Sequence, residues 1–382
     1  MEVYFDNSST TKTYDEVIDE VCYGLKEFYG NPSALHNIGL KSERKLRECR
    51  KIIAETLNCS ENEIYFNGGG SEGNNFVLKG VLKKGNHIIT TPFEHASILN
   101  TIKNLEKNGV MVTVLKIDSQ GKIDLEDLKN SITKDTVLVS IMHVNNEIGV
   151  IQDIEKISKI IKEKSLRAKF HVDAVQSYGK LPIDLEKTRA DFITVSAHKF
   201  HGPKGCGFIY VRKPNNVAPL IEGGAQESGL RAGTQNVAGI MGMAVAAEIA
   251  NNNLKENYNK VSAIKSRFIE RLKEIDDIRI NSCDNEGFSP YILNVSFKGV
   301  RGEVLLHFLE ENGIYVSTGS ACSSKERERI GGSYVLKALG LTKDEIGGGV
   351  RFSFSDDNEL EEVDYVIETL KKGLKFLRRI KK

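Results

Sequence analysis

Between Glu63 and Arg212 short apolar runs alternate with longer amphipathic stretches, and no other property of the chain narrows its fold as sharply. The runs are Ile64–Phe66, His87–Thr90, Val110–Leu115, Thr136–His143, Ala168–Val172, Asp191–Val195 and Gly207–Arg212. Runs this short suit strands and the stretches between them suit helices, which is the rhythm of an α/β domain with a mostly parallel sheet. Several runs stop at polar or glycine-rich turns: Gly68-Gly69-Gly70-Ser71, Asn145-Asn146-Glu147 and Ser196-Ala197-His198-Lys199. Ligands of α/β sheets gather at such strand ends.

The rhythm changes after Gly233. A helical stretch runs to about Ile275 and holds the small-residue segment Met241–Ala250 and the polar break Asn251–Asn253. Strand-like Ile278–Asn281 and Tyr291–Phe297, helix-like Glu303–Glu311, strand-like Val350–Phe354 and a basic helix reaching Lys382 follow. At 382 residues the chain exceeds what one core usually supports. The expected division is a large α/β domain over 1–250 and a smaller α+β domain over 251–382, with roughly the first 15 residues packing beside the smaller one.

Charge narrows the partners. With 53 basic and 52 acidic residues the chain carries a formal charge of +1, so no broad footprint for nucleic acid or an anionic membrane exists. Met1–Asp6 has no basic segment followed by an apolar run, and no apolar window long enough to span a bilayer occurs. A soluble, cytoplasmic protein is expected. Six cysteines (Cys22, Cys49, Cys59, Cys206, Cys283, Cys322) form no C-x-x-C pair, and His198-x-x-His201 encloses Lys199 without a third ligand, so no metal site is expected.

Three strand ends carry candidate chemistry. Lys199 sits where a Schiff-base lysine would sit, at a strand end beside groups able to hold a phosphate. A lone lysine there is ordinarily just solvated; the neighbours argue otherwise. Asp173 closes the run before it, where a carboxylate can pair with the pyridinium nitrogen of pyridoxal phosphate, although it could equally cap a helix. Gln176 follows in the same turn and could reach the phenolic oxygen. In Gly68–Glu72, free backbone N–H groups and a helix start suit an anion, but the spacing is neither a dinucleotide fingerprint nor a nucleotide P-loop.

Taken together, Asp6-Asn7-Ser8-Ser9-Thr10-Thr11, Gly30-Asn31-Pro32-Ser33, Glu94-His95, Met142 to Gly149, and Ser196-x-His198-Lys199-x-x-Gly202-Pro203-Lys204-Gly205 resemble the signatures of the cysteine desulfurases. The resemblance extends over nearly the whole chain. It implies an aminotransferase-type fold (fold type I of the pyridoxal 5'-phosphate enzymes), with Lys199 bonded to the cofactor, His95 stacked on its ring, and Asp173 and Gln176 on its nitrogen and phenolic oxygen. Asn146 would orient cofactor and substrate. Gly70, Ser71, Ser196 and His198 would hold the phosphate, joined by Thr234 from the second subunit of a homodimer. Arg351 would clamp the carboxylate of L-cysteine with its bidentate fork, assisted by Asn31.

Gly319-Ser320-Ala321-Cys322-Ser323-Ser324 resembles the sulfur-accepting loop of the family, in its long form. A thiol of ordinary pKa is only about a few per cent thiolate at pH 7, and Lys325, Arg327 and Arg329 could raise that share. By the same resemblance Cys322 takes the sulfur as a persulfide and passes it to an acceptor protein, such as an iron–sulfur scaffold or a tRNA-thiolation enzyme. The rival expectations are a selenocysteine lyase or another aminotransferase-like enzyme, for which Cys322 is dispensable, and a catalytically silent scaffold for sulfur carriers. The chain departs from the family pattern at Gly68-Gly69-Gly70, expected to loosen the phosphate loop, at Ser228, and in the charged stretch from Lys325 to Gly332.

Overall fold

A computed structural model of the chain describes residues 1–319 and 332–380. Seven strands form the main sheet: β2 (Ile64–Asn67), β3 (His87–Thr90), β4 (Met111–Val114), β5 (Thr136–Met142), β6 (Lys169–Asp173), β7 (Phe192–Ser196) and β8 (Gly207–Val211), in spatial order β2-β8-β7-β6-β5-β3-β4. These strands coincide with the seven apolar runs. Only β8 runs against its neighbours. β3, β7 and β8 are buried along their whole length, as strands covered on both faces require, so they read as continuous apolar runs without alternation.

Register decides where the chemistry collects. Met142 pairs with Asp173 and Asp173 with Thr194, so the ends of β5, β6 and β7 lie side by side. Gly207 pairs with both Ser196 and Asn67, which brings the end of β2 to the same edge. The turns that leave β2, β5, β6 and β7 therefore open onto one rim.

A second, antiparallel sheet comprises β9 (Ile278–Ile280), β10 (Ile292–Phe297) and β12 (Gly349–Ser353), ordered β12-β10-β9. Its core joins Phe268, Val295, Phe352 and Leu370 to Val3 and Phe5 from the other end of the chain. The two rings Phe5 and Phe354 meet edge to face at 5.0 Å, and β1 (Val3–Tyr4) runs parallel to β11 (Ile314–Tyr315). The stretch from Asp6 to Thr11 then crosses to the main sheet, where the Thr11 N–H donates to the His198 carbonyl at 3.0 Å. The helical stretch after Gly233 is two helices, Val237–Asn252 and Leu254–Leu272, meeting at Asn253. Among the described residues no helix is long and apolar enough to cross a membrane, and no cluster of metal-ligating side chains occurs.

Candidate active site

The rim encloses a cavity of about 410 Å³ lined by the turns after β2, β6 and β7, by Ser8–Thr10, and by His95, Asn146 and Arg351. Lys199 Nζ donates to the backbone carbonyls of Ser8 (2.5 Å) and Ser9 (2.7 Å). Gln176 Nε2 donates to the same Ser8 carbonyl at 3.0 Å, which holds Lys199 and Gln176 together although 23 positions separate them in sequence. The crossing segment thus supplies acceptors that keep an amine at the end of β7.

Asp173 is buried and is held in place by two donors. Its Oδ1 accepts from the Val175 N–H at 3.0 Å, and its Oδ2 accepts from Asn74 Nδ2 at 2.8 Å. Asn74 stands one turn into the helix Gly70–Val81, and its amide also donates to Ser97 Oγ at 2.9 Å. His95 caps the helix Ala96–Lys107, its Nδ1 accepting from the Ser97 N–H at 3.2 Å. Burial lowers its pKa; Asp173 opposes this and Lys199 adds to it. The ring is neutral, and with Nδ1 as acceptor its proton sits on Nε2.

The helix Gly70–Val81 begins on Gly69 at φ +128° with no side-chain cap, so N–H groups of its first turn are left for a ligand. A Cβ on Gly69 would stand 3.2 Å from Ser196 Oγ, and one on Gly70 would stand 2.8 Å from Val175 Cγ2. Close approach, together with the positive φ, is why glycine occupies these places. The run expected to be loose is tied twice: the Gly68 N–H donates to Glu72 Oε2 at 2.9 Å and the Gly69 N–H to Asn67 Oδ1 at 2.8 Å. Burial, with the positive charges of Lys199, Lys204 and Lys180, lowers the His198 pKa to about 3. Those charges penalise an imidazolium and favour an anion.

Arg351, 1% exposed, reaches the opposite wall. Its Nη1 donates to the Asn146 carbonyl at 2.8 Å, and its Nη2 donates to Asp6 Oδ1 and Ser9 Oγ, both at 2.7 Å.

Of the residues singled out in the sequence, Gly70, Ser71, His95, Asn146, Asp173, Gln176, Ser196, His198, Lys199 and Arg351 all line this one cavity. Asn31 and Thr234 do not; both are exposed. Cys322 lies outside the described residues. Sequence reasoning gave no role to Ser8, Ser9, Asn74 or Asp6. Only Asn74 left a usable signal, its position four residues after Gly70 on one helix face.

The sequence model of the family described as Aminotransferase class-V matches residues 3–366. A Clostridium botulinum protein named cysteine desulfurase IscS is 42% identical over 385 aligned positions, covering 99% of this chain and 96% of that protein. The chain belongs to the NifS/IscS-like cysteine desulfurases of the class-V aminotransferase family. Among solved structures, a NifS-like protein superposes with a TM-score of 0.92 at 40% identity, covering 99% of this chain and 100% of that one. Another, described as SspA in complex with cysteine, gives 0.80 at 34% identity over 92% of this chain and 98% of that one.

Cysteine desulfurases depend on pyridoxal phosphate, and the site of this desulfurase fits that group. Ser8 Oγ, Asn74 Oδ1, Asn146 Oδ1, Gln176 Oε1 and Arg351 Nε are buried without a partner among the described residues, and all five side chains line the cavity. A buried polar atom left unpaired costs about 1–3 kcal/mol, so such a set calls for a polar ligand. The donor set is also that of the cofactor: an amine, a carboxylate for a ring nitrogen, and an uncapped helix start amid positive charge for a phosphate.

Proposed function

We propose that in this chain L-cysteine and the thiol of Cys322 give L-alanine and a Cys322 persulfide. The substrate Cβ–S bond breaks and an S–S bond forms. The electron pair stays with Cβ, which takes up the proton that the Cys322 thiol gives up, so no external oxidant or reductant is needed. The observation that carries this reading is the convergence of Lys199, Asp173 and five unpartnered buried polar atoms on one cavity.

Pyridoxal phosphate, when bound, supplies an electron sink for the pair released at the substrate Cα. Asp173 would pair with the ring nitrogen and keep it protonated, and its hydrogen bonds from Asn74 and Val175 fix the carboxylate for that task. Lys199 would carry the cofactor, and its amine stands where it could take a proton from the substrate Cα. Neutral His95 can pass a proton from Nε2. Arg351 and Asn146 orient the substrate, the guanidinium on its carboxylate. Gly70, Ser71, Ser196 and His198 would hold the phosphate.

The working unit is a homodimer. Thr234 is exposed and absent from its own cavity, which suits a group lent to a second copy, and Tyr23, Leu25, Tyr29 and Leu35 present exposed apolar surface on the first helix (Asp15–Glu27) and the loop that follows it. The persulfide then passes to a sulfur-accepting protein, such as an iron–sulfur scaffold or a tRNA-thiolation enzyme. A thiol kept ready for this exchange needs a reducing compartment, so the setting is the cytoplasm.

The test is Cys322→Ala. The variant should still change its cofactor spectrum on adding cysteine, because Lys199, His95 and Arg351 remain, but it should form neither alanine nor persulfide. Alanine release at the parent rate would replace the mechanism with one that needs no protein thiol.

A further inference from the structure

His95 can pass a proton from Nε2 only while its tautomer keeps one there, so the groups that fix the tautomer bear on the reaction. They begin at Asp173. Its Oδ2 accepts from Asn74 Nδ2 at 2.8 Å, and the second hydrogen of the same amide goes to Ser97 Oγ at 2.9 Å. Asn74 is 1% exposed, and turning its amide over would set Oδ1 against the Asp173 carboxylate, two acceptors face to face. The carboxylate therefore dictates that Ser97 Oγ accepts from Asn74. That leaves the hydroxyl its own hydrogen, and its other partner among the described residues is His95 Nδ1 at 2.8 Å. The hydroxyl donates to Nδ1, alongside the Ser97 N–H at 3.2 Å.

The backbone keeps this chain of donors in line. Asn74 lies on the helix Gly70–Val81, and His95 and Ser97 stand at the start of the helix Ala96–Lys107. Thr101 Oγ1, one turn beyond Ser97, meets Asn75 Oδ1 at 3.0 Å and the Ser97 carbonyl at 2.8 Å, which pins the two helices together. Asp173 is held from its other side by the Val175 N–H on Oδ1. Ser97 does not line the cavity, whereas His95, Asn74 and Asp173 do. Its hydroxyl thus reaches the chemistry only through its neighbours.

We infer that Asn74 and Ser97 are positioning residues that transmit the acceptor character of the Asp173 carboxylate to His95 Nδ1, and so keep the His95 proton on Nε2, the nitrogen turned away from Ser97. A proton on Nδ1 would leave the Ser97 hydroxyl and N–H without that acceptor, which disfavours the other tautomer by about tenfold or more. The inference rests on the reading in which His95 passes a proton, but the tautomer itself can be read without it.

The experiment uses holoenzyme labelled with nitrogen-15 at histidine, whose NMR spectrum separates protonated from bare ring nitrogens. The His95 signals are those missing from His95→Gln. In the parent, Nε2 should be protonated and Nδ1 bare. Asn74→Asp is nearly isosteric and reverses the chain: two carboxyls this close share one proton, so none is left for Ser97. The Ser97 hydroxyl then turns to the introduced oxygen and presents its lone pairs to Nδ1, which should become the protonated nitrogen. Ser97→Ala leaves only the longer N–H contact and should populate both tautomers, while Ser97→Thr keeps the hydroxyl and should match the parent. In single turnover, Asn74→Asp should form alanine about tenfold or more slowly with cysteine affinity within about threefold of the parent, and Ser97→Ala should lose less in the same direction. If Asn74→Asp does not fold, Ser97→Ala decides. A proton on Nδ1 in the parent, or a single unchanged tautomer in the folded variants, overturns the inference. A tautomer that moves as expected while alanine forms at the parent rate leaves the inference standing and defeats the proton-passing role of His95 on which the functional reading draws.

Discussion

Replacing Arg351 with lysine tests whether the guanidinium fork, and not merely a positive charge, sets substrate affinity. The fork spans two walls, reaching the Asn146 carbonyl with Nη1 and the Asp6–Ser9 turn with Nη2, while the buried Nε lacks a partner among the described residues. A lysine ammonium can keep the Asp6 and Ser9 contacts but cannot span to Asn146 and also present a second parallel donor to a carboxylate. One lost charge-assisted hydrogen bond is worth about 1.5–3 kcal/mol, which is about ten- to a hundredfold in affinity. The assay is a spectrophotometric titration of holoenzyme with L-alanine, which has the substrate's carboxylate but no thiol to react, followed by cysteine. Arg351→Lys should weaken both by about tenfold or more with cofactor content unchanged. The deficit should grow as pH rises, because a lysine buried at this place loses its proton more readily than the arginine it replaces. Unchanged affinity would remove Arg351 from the substrate site, and parallel loss of cofactor would mean that it builds the cavity and does not clamp the ligand.

Two further outcomes are expected. Borohydride treatment of the holoenzyme followed by peptide mapping should find the cofactor fixed to Lys199, and attachment at any other lysine would refute the assignment. Burial raises the Glu94 carboxyl to about 8, against the lowering effect of the Met142 N–H and the Thr91 hydroxyl. The folded pKa lies above the unfolded one, so the stability contributed by protonated Glu94 is complete below the ordinary carboxylate range and is lost as pH rises through about 8. Glu94→Gln should flatten that decline, by up to about 1.4 kcal/mol per pH unit across the window. Urea unfolding at a series of pH values checks this, and parallel stability curves for parent and variant would refute it.

The inner strands of the main sheet were legible in the sequence because a strand covered on both faces must be apolar along its length, a property that stays local to a few residues; the edge strand β4, exposed at both ends, was legible only as a short apolar run. The ligand-bearing turns were legible for a related reason: Lys199, Asp173 and Gly70 stand at or just past strand ends, and in an α/β sheet those ends share an edge. Tertiary structure alone decided what holds these groups. Lys199 rests on the carbonyls of Ser8 and Ser9, about 190 residues away in sequence, and a carbonyl carries no side-chain signature to read. Arg351 meets Asp6 because β1 pairs with β11 and Phe5 packs against Phe354, which draws the two ends of the chain together. Glu147 looked like one letter of a motif; only the fold puts Gly319 and Ser333 against its carboxylate. Residue type and local period reveal which groups are buried or stand at a strand end, whereas hydrogen-bond partners are set by strand register and by where distant segments cross, and no local pattern encodes either.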